Sequence, residues 1–160
     1  MIRAATLADI PVIQMIANQT WPDAYGAIIS KEQLTYMLEM MYSSTSLKNQ
    51  MEKGHQFYLF EIDQQPIGFA SVSNEGAGIY KLNKLYVLPT TQKTGAGKAL
   101  LQKSIEHASN AGGQQLILQV NKLNSAKQFY ERHGFTVLEE KVLELEHGFV
   151  MDDYIMGISL

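Results

Sequence analysis

Leu85-Tyr86-Val87-Leu88-Pro89-Thr90-Thr91-Gln92-Lys93-Thr94-Gly95-Ala96-Gly97-Lys98-Ala99-Leu100-Leu101 decides how the rest of the chain is read. Leu85 to Leu88 is short, apolar and closed by Pro89, the pattern of a buried strand. Ala99, Leu100, Leu101, Ile105 and Ala108 then follow helical spacing, which predicts a helix from about Gly97 to Asn110. Gly95 and Gly97 in the join let the backbone approach a ligand closely. The helix start adds unpaired N–H groups and the positive end of its dipole, which suit a phosphate. A glycine-rich turn before a helix is more often just a turn. Neither G-x-x-x-x-G-K-[ST] nor a strand-turn-helix G-x-G-x-x-G is present. What stands there is Q-x-x-G-x-G after an LYV strand and a proline.

The chain has 160 residues, none of them cysteine, with 46% hydrophobic and 18% charged. These values predict one globular domain over 1–160, without disulfides, thiolate zinc sites or an acyl-cysteine intermediate. No apolar run has the length of a membrane span, and the N-terminus lacks a signal-peptide core, so the cytoplasm is the expected compartment. Net charge is −3, which argues against a nucleic-acid partner. The charge is unevenly spread. Residues 81–132 hold eight basic and two acidic side chains, a balance of +6, while the remainder carries −9. The basic residues around the glycine loop would attract a polyanion, and the acidic remainder would favour a cationic partner.

Thr6 to Asp9 is a capping-type start, with Ile10, Ile13, Ile16 and Ala17 as a helical stripe ending near Asn18. Pro22 and Gly26 make residues 19–29 loop-like. Ser30 to Gln33 opens a second helix to about Tyr42, and a short one follows from Ser46 to Lys53. His55–Ile62 and Ile67–Ser73 read as strands joined by a hairpin, and Ile79–Leu88 as a third. Gly112-Gly113 stops the loop helix. Gln115–Val120 is a strand that the intervening helix makes parallel to its predecessor. Asn124 or Ser125 caps a helix closed by Gly134. Phe135–Leu138, Val142–Leu145 and Tyr154–Ser159 read as strands. The fold class is α/β (α+β), a mixed and mostly antiparallel central sheet flanked by helices.

Two stretches carry a family resemblance. The Q-x-x-G-x-G loop, with its LYV strand, resembles the acyl-CoA pyrophosphate loop of the GNAT superfamily of N-acetyltransferases. Asn124 to Tyr130, through His133-Gly134-Phe135, resembles that superfamily's N-x-x-A-x-x-F-Y-x-x-x-G-F stretch. The ending Gly148 to Met156 looks like that of bacterial polyamine acetyltransferases, or is an ordinary turn. The resemblance covers about residues 55–160 well and the rest only by its two-helix pattern. It implies acetyl-CoA as co-substrate, no metal, and a strand pair splayed to admit the coenzyme.

By resemblance, Gln92, Lys93, Gly95, Ala96, Gly97 and Lys98 would hold the pyrophosphate. The backbone of Leu85, Tyr86 and Val87 would pair with the pantetheine arm, with Val87 N–H polarising the thioester carbonyl. Asn124 would bond the arm, and Tyr130 would protonate the departing thiolate; its alternative is packing beside Phe129. The strand Tyr80 to Leu85 holds no carboxylate to serve as base, which leaves Glu75, Asp23, Glu39 or water. Trp21, Asp23 and Tyr25 would wall the acceptor. The four histidines have no ligand spacing. The expected acceptor is a small-molecule primary amine such as a polyamine. The alternatives are a protein or peptide amine, or a module that senses acetyl-CoA without turnover. The fold allows a homodimer, which nothing in the sequence specifies.

Overall fold

The computed structural model describes the backbone of all 160 residues and every side chain except that of Gln92. Seven strands form one sheet: β1 (Ile2–Ala4), β2 (Gln56–Ile62), β3 (Gln65–Gly76), β4 (Ile79–Val87), β5 (Gln115–Asn121), β6 (Thr136–Glu144) and β7 (Val150–Ser159). Their spatial order is β1-β2-β3-β4-β5-β7-β6, and only β4 and β5 run parallel. The helices are α1 (Ile10–Tyr25), α2 (Lys31–Tyr42), α3 (Ser44–Glu52), α4 (Ala96–Asn110) and α5 (Ala126–Arg132). None of the helices described is long and apolar enough to cross a membrane.

The two sheet faces bury separate cores because side chains alternate along a strand. Tyr58, Val72, Tyr80, Leu82, Leu116 and Leu118 face α4 and α5, meeting Leu100, Leu101 and Tyr130. Phe57, Leu59, Phe69 and Met151 face α1, α2 and α3, meeting Ile13, Trp21, Met37, Tyr42 and Leu47. Local signals agree with these elements. The Gln33 N–H donates to Ser30 Oγ at 3.1 Å and caps α2. Asp63 and Gln64 both take positive φ, the geometry of a two-residue hairpin turn between β2 and β3. At Gly113, a Cβ would meet the Tyr80 ring at 2.7 Å and the Ala108 carbonyl at 2.8 Å. Only glycine lets the chain leave α4 so tightly.

Four sequence expectations need correction. First, α1 does not end near Asn18 but runs through Pro22 to Tyr25. An interior proline costs a helix about 3 kcal/mol. Burial of Trp21, 1% exposed, and of Tyr25 on the same stripe offsets it, at about 1.5–3 kcal/mol for each large side chain. Secondly, β1 went unread: its three residues gain order only by pairing with Tyr58, Leu59 and Phe60. Thirdly, β6 is one strand rather than two. Its central Glu139, Glu140 and Lys141 are polar because they lie exposed at the sheet edge, and their ladder with β7 is indifferent to side-chain polarity. Fourthly, the same pairing begins β7 at Val150 rather than Tyr154.

The feature that positions the site is a bulge. Ser71 pairs with Lys84 and Val72 with Leu82, leaving Asn83 as an extra residue in β4. A bulge reverses the alternation, so Tyr80 and Leu82 face α4 whereas Tyr86 packs among the α1–α3 helices. Pairing of β4 with β5 runs from Ile79 to Leu82 and then stops. Beyond it, β4 stays on β3 as far as Val87, and β5 stays on β7 as far as Asn121. The sheet is therefore split in its middle.

Candidate active site

The split opens into a cleft of about 540 Å³. One wall is Leu85, Tyr86 and Val87 of β4. The opposite wall is Asn124, Ser125, Ala126, Phe129 and Tyr130 at the start of α5, and Gly97 closes the end at the first turn of α4. Arg132 lines the rim. Of the residues singled out in the sequence, Leu85, Tyr86, Val87, Gly97, Asn124 and Tyr130 thus share one cavity. Lys93, Gly95, Ala96 and Lys98 are not in its lining and lie on the adjoining loop and helix turn. The Gln92 side chain lies outside the described residues.

Each wall has a local cause. Residues Pro89–Thr94 form a 3-10 turn, and Gly95 then takes φ +82° before α4 starts at Ala96. That left-handed residue turns the chain into the helix with no side chain capping its first N–H groups. Ala96 is fully buried at the start of that helix. A Cβ on Gly97 would stand 3.7 Å from the Phe129 ring and 3.9 Å from Val87 Cγ2, within the narrow end of the cleft. On α5, the Ala126 N–H donates to Asn124 Oδ1 at 2.9 Å, so Asn124 fixes the helix start while lining the cavity. Tyr130 is 8% exposed, with Phe129 and Phe135 ring centroids 5.3 and 5.7 Å away. Burial, with Tyr25 nearby, pushes its phenol above the ordinary range, so it stays protonated at neutral pH.

The helical side contributes what the sequence left as loop. Thr20, Asp23 and Ala24 of α1 line the cleft. The Tyr25 hydroxyl lies 3.0 Å from the Tyr86 hydroxyl, tying α1 to β4 at the gap. Trp21 stacks 4.5 Å from Tyr25 and 5.8 Å from Tyr86, so it supports the wall from within. A helical reading across Pro22 would have put Thr20 and Ala24 on one face. Of the carboxylates considered as bases, Asp23 is exposed at the cleft. Glu39 is exposed on α2 outside the lining, and Glu75 accepts from Ser73 Oγ at 3.3 Å at the far end of β3.

The basic excess is less concentrated than its sequence positions suggest. Lys81 donates to Gln119 Oε1 at 2.9 Å. Lys103, Lys122 and Lys127 pair with Glu106, with Glu140 and Asp152, and with Glu131. Lys84 turns away beneath Tyr42, its Nζ 5.3 Å from the ring centroid. Among the described residues, Lys93, Lys98 and Arg132 are left without an ion pair to present charge near the loop.

Comparison with known proteins agrees with this geometry. Residues 27–154 match the Acetyltransferase (GNAT) domain model. The spermidine N(1)-acetyltransferase of Thermoplasma acidophilum is 26% identical over 145 residues, covering 85% of this chain and 88% of that one. The [ribosomal protein bS18]-alanine N-acetyltransferase of Haemophilus influenzae is 38% identical over 98 residues, 59% of this chain and 64% of its own. The crystal structure of PaiA N-acetyltransferase from Thermoplasma acidophilum, in complex with coenzyme A, superposes with a TM-score of 0.84 at 25% identity, covering 100% of this chain and 98% of that one. With the split sheet, the glycine-led helix start and a matching domain model over most of its length, the chain belongs to the GNAT superfamily of acetyltransferases.

Proposed function

We propose that the protein transfers the acetyl group of acetyl-CoA directly to the primary amine of a small molecule, with polyamines the first class to test. The observation that carries this is the single cleft in which the splayed stretch Leu85–Val87, the first turn of α4 and the protonated Tyr130 meet. The coenzyme arm fits between the parted strands. The turn from Gln92 to Lys98 offers backbone N–H groups to the pyrophosphate, with Lys93 and Lys98 adding charge. Leu85, Tyr86 and Val87 pair with the arm, Val87 N–H polarises the thioester carbonyl and Asn124 steadies the arm. Tyr130 donates its proton to the departing thiolate. No acyl-enzyme is needed, in keeping with a chain that has no cysteine.

A small acceptor is favoured over a polypeptide by the helical side. Tyr36 of α2 meets His147 edge-on with ring centroids 5.4 Å apart and lies 5.5 Å from Phe149, and Gln33 Nε2 donates to the Val150 carbonyl at 2.9 Å. We read this packing of α2 against the turn between β6 and β7 as leaving room for a small acceptor rather than an extended peptide.

Calorimetric titration with acetyl-CoA tests the coenzyme site. Thiol release with spermidine, other small amines and an alanine-ended peptide tests the acceptor. Binding with release on a small amine supports the proposal. Release on the peptide alone moves the acceptor to proteins. Binding without release on any acceptor favours a sensor, and no binding removes the reading.

A further inference from the structure

β4 brings no carboxylate to the gap, yet the sheet supplies one from another strand. Asp153 of β7 stands directly opposite Asn121, the last residue of β5, beyond the point at which β4 and β5 part. Cross-strand partners share a face. Asn121 Nδ2 reaches Met151 Sδ at 4.0 Å, and Met151 packs in the α1–α3 core, so Asp153 points to the helical side. It is 5% exposed, and its Oδ1 has no hydrogen-bond partner among the described residues. A buried carboxylate oxygen without a partner is costly to the fold.

We propose that Asp153 is the carboxylate that takes the proton from the acceptor's ammonium, so that the amine reaches the thioester neutral. This rests on the acetyltransferase reading above. The groups facing Asp153 suit the role. Tyr25 of α1 is near enough to feel its charge, and Tyr25 in turn touches Tyr86 on the gap strand. Lys81 of β4 draws its pKa down, but that ammonium is engaged by Gln119. Asp152 beside it raises the pKa and is itself paired to Lys122. Lys141, opposite on β6, is exposed and makes no ion pair with it. Burial is the largest influence and lifts the carboxyl from its ordinary 3.8 to about 6. A base near that value is ionised at neutral pH yet basic enough to receive a proton.

The step balances. The ammonium N–H bond breaks and its proton passes to Asp153. The freed lone pair forms the C–N bond at the thioester carbonyl, the C–S bond breaks, and the thiolate takes the Tyr130 proton. Tyr130 regains a proton from the new amide nitrogen, and Asp153 releases its own to solvent.

The test compares wild type, Asp153→Asn and Asp152→Asn on whichever amine gives thiol release. Wild-type kcat is expected to rise with pH through about 6. Asp153→Asn is expected to lose about 10²-fold in kcat and to flatten that limb, with acetyl-CoA affinity unchanged. Asp152→Asn should retain kcat. Because folding holds the Asp153 pKa above its unfolded value, ionising it costs stability at pH 7.5. The Asn variant should therefore melt no lower than wild type. Unchanged kcat and pH profile in Asp153→Asn overturn the proposal, as does a fall in activity that merely tracks a fall in Tm. No thiol release by wild type on any amine overturns the acetyltransferase reading itself, and this proposal with it.

Discussion

Tyr130 and Lys84 show burial acting on two kinds of titratable group. For Tyr130 it holds the proton on, which a general acid needs. Tyr130→Phe keeps the ring packed against Phe129 and Phe135 while removing the hydroxyl proposed as the acid. The expected result is a fall in kcat of about 10²-fold with acetyl-CoA affinity nearly unchanged, read by thiol release and calorimetry. Unchanged turnover would make Tyr130 a packing residue. For Lys84, 6% exposed beneath Tyr42 and Phe57, burial pulls the ammonium down to about 8, with Lys81 adding to the effect. The folded pKa lies below the unfolded 10.5, so charging Lys84 costs the fold at pH 7, and stability is regained as pH rises from about 8 towards 10.5. The cost is ~3 kcal/mol. Lys84→Met is expected to raise the urea midpoint at pH 7, with the gain shrinking at pH 9.5. An equal gain at both would show that packing rather than charge is responsible.

Among the elements, the two ends of α4 depend on glycine for different reasons. Gly95 has φ +82° with nothing within 4 Å of a Cβ, so Gly95→Ala pays only for conformation, about 1–2 kcal/mol. That variant should also bind acetyl-CoA more weakly, because the turn aims the first N–H groups of α4. Gly113 lacks a positive φ, but its Cβ would strike the Tyr80 ring and the Ala108 carbonyl. Gly113→Ala should cost about 1–3 kcal/mol by overpacking, yet leave coenzyme affinity alone. Urea melts combined with calorimetry separate the two. Equal affinity losses in both variants would contradict the placement of the coenzyme at Gly95.

For the whole molecule, the coenzyme should act as a clamp across the split sheet. A ligand bound only by the folded state, at 100 times its Kd, adds about 2.7 kcal/mol, a Tm rise of roughly 5–10 °C. Among the described residues, Lys93, Lys98 and Arg132 are the cations without ion pairs near the loop, and exposed charges are screened over about a Debye length. Acetyl-CoA affinity should therefore weaken as salt rises from about 0.05 to 0.5 M, where the Debye length falls several-fold. An affinity independent of salt would remove charge attraction from the account and leave the backbone N–H groups as the anchor.

From α1 onward, the order of helices and strands, the parallel β4–β5 pair, the glycine turn and the Asn124–Tyr130 helix were legible in the sequence. Each is set by signals within one or two turns of chain: periodicity, caps, and residues that permit a positive φ. The family resemblance was legible for the same reason, since both of its stretches are local. Only the tertiary structure decided that α1 continues through Pro22, because the compensation comes from Tyr42 and Tyr86, 21 and 65 residues from Trp21. It also decided where β4 bulges, which of the described lysines remain unpaired near the loop, and that a carboxylate on the last strand is buried opposite the end of β5. These follow from pairings such as Asn121 with Asp153 and Ser71 with Lys84. Such contacts join residues distant in the chain, and their energy is realised only once the sheet has formed.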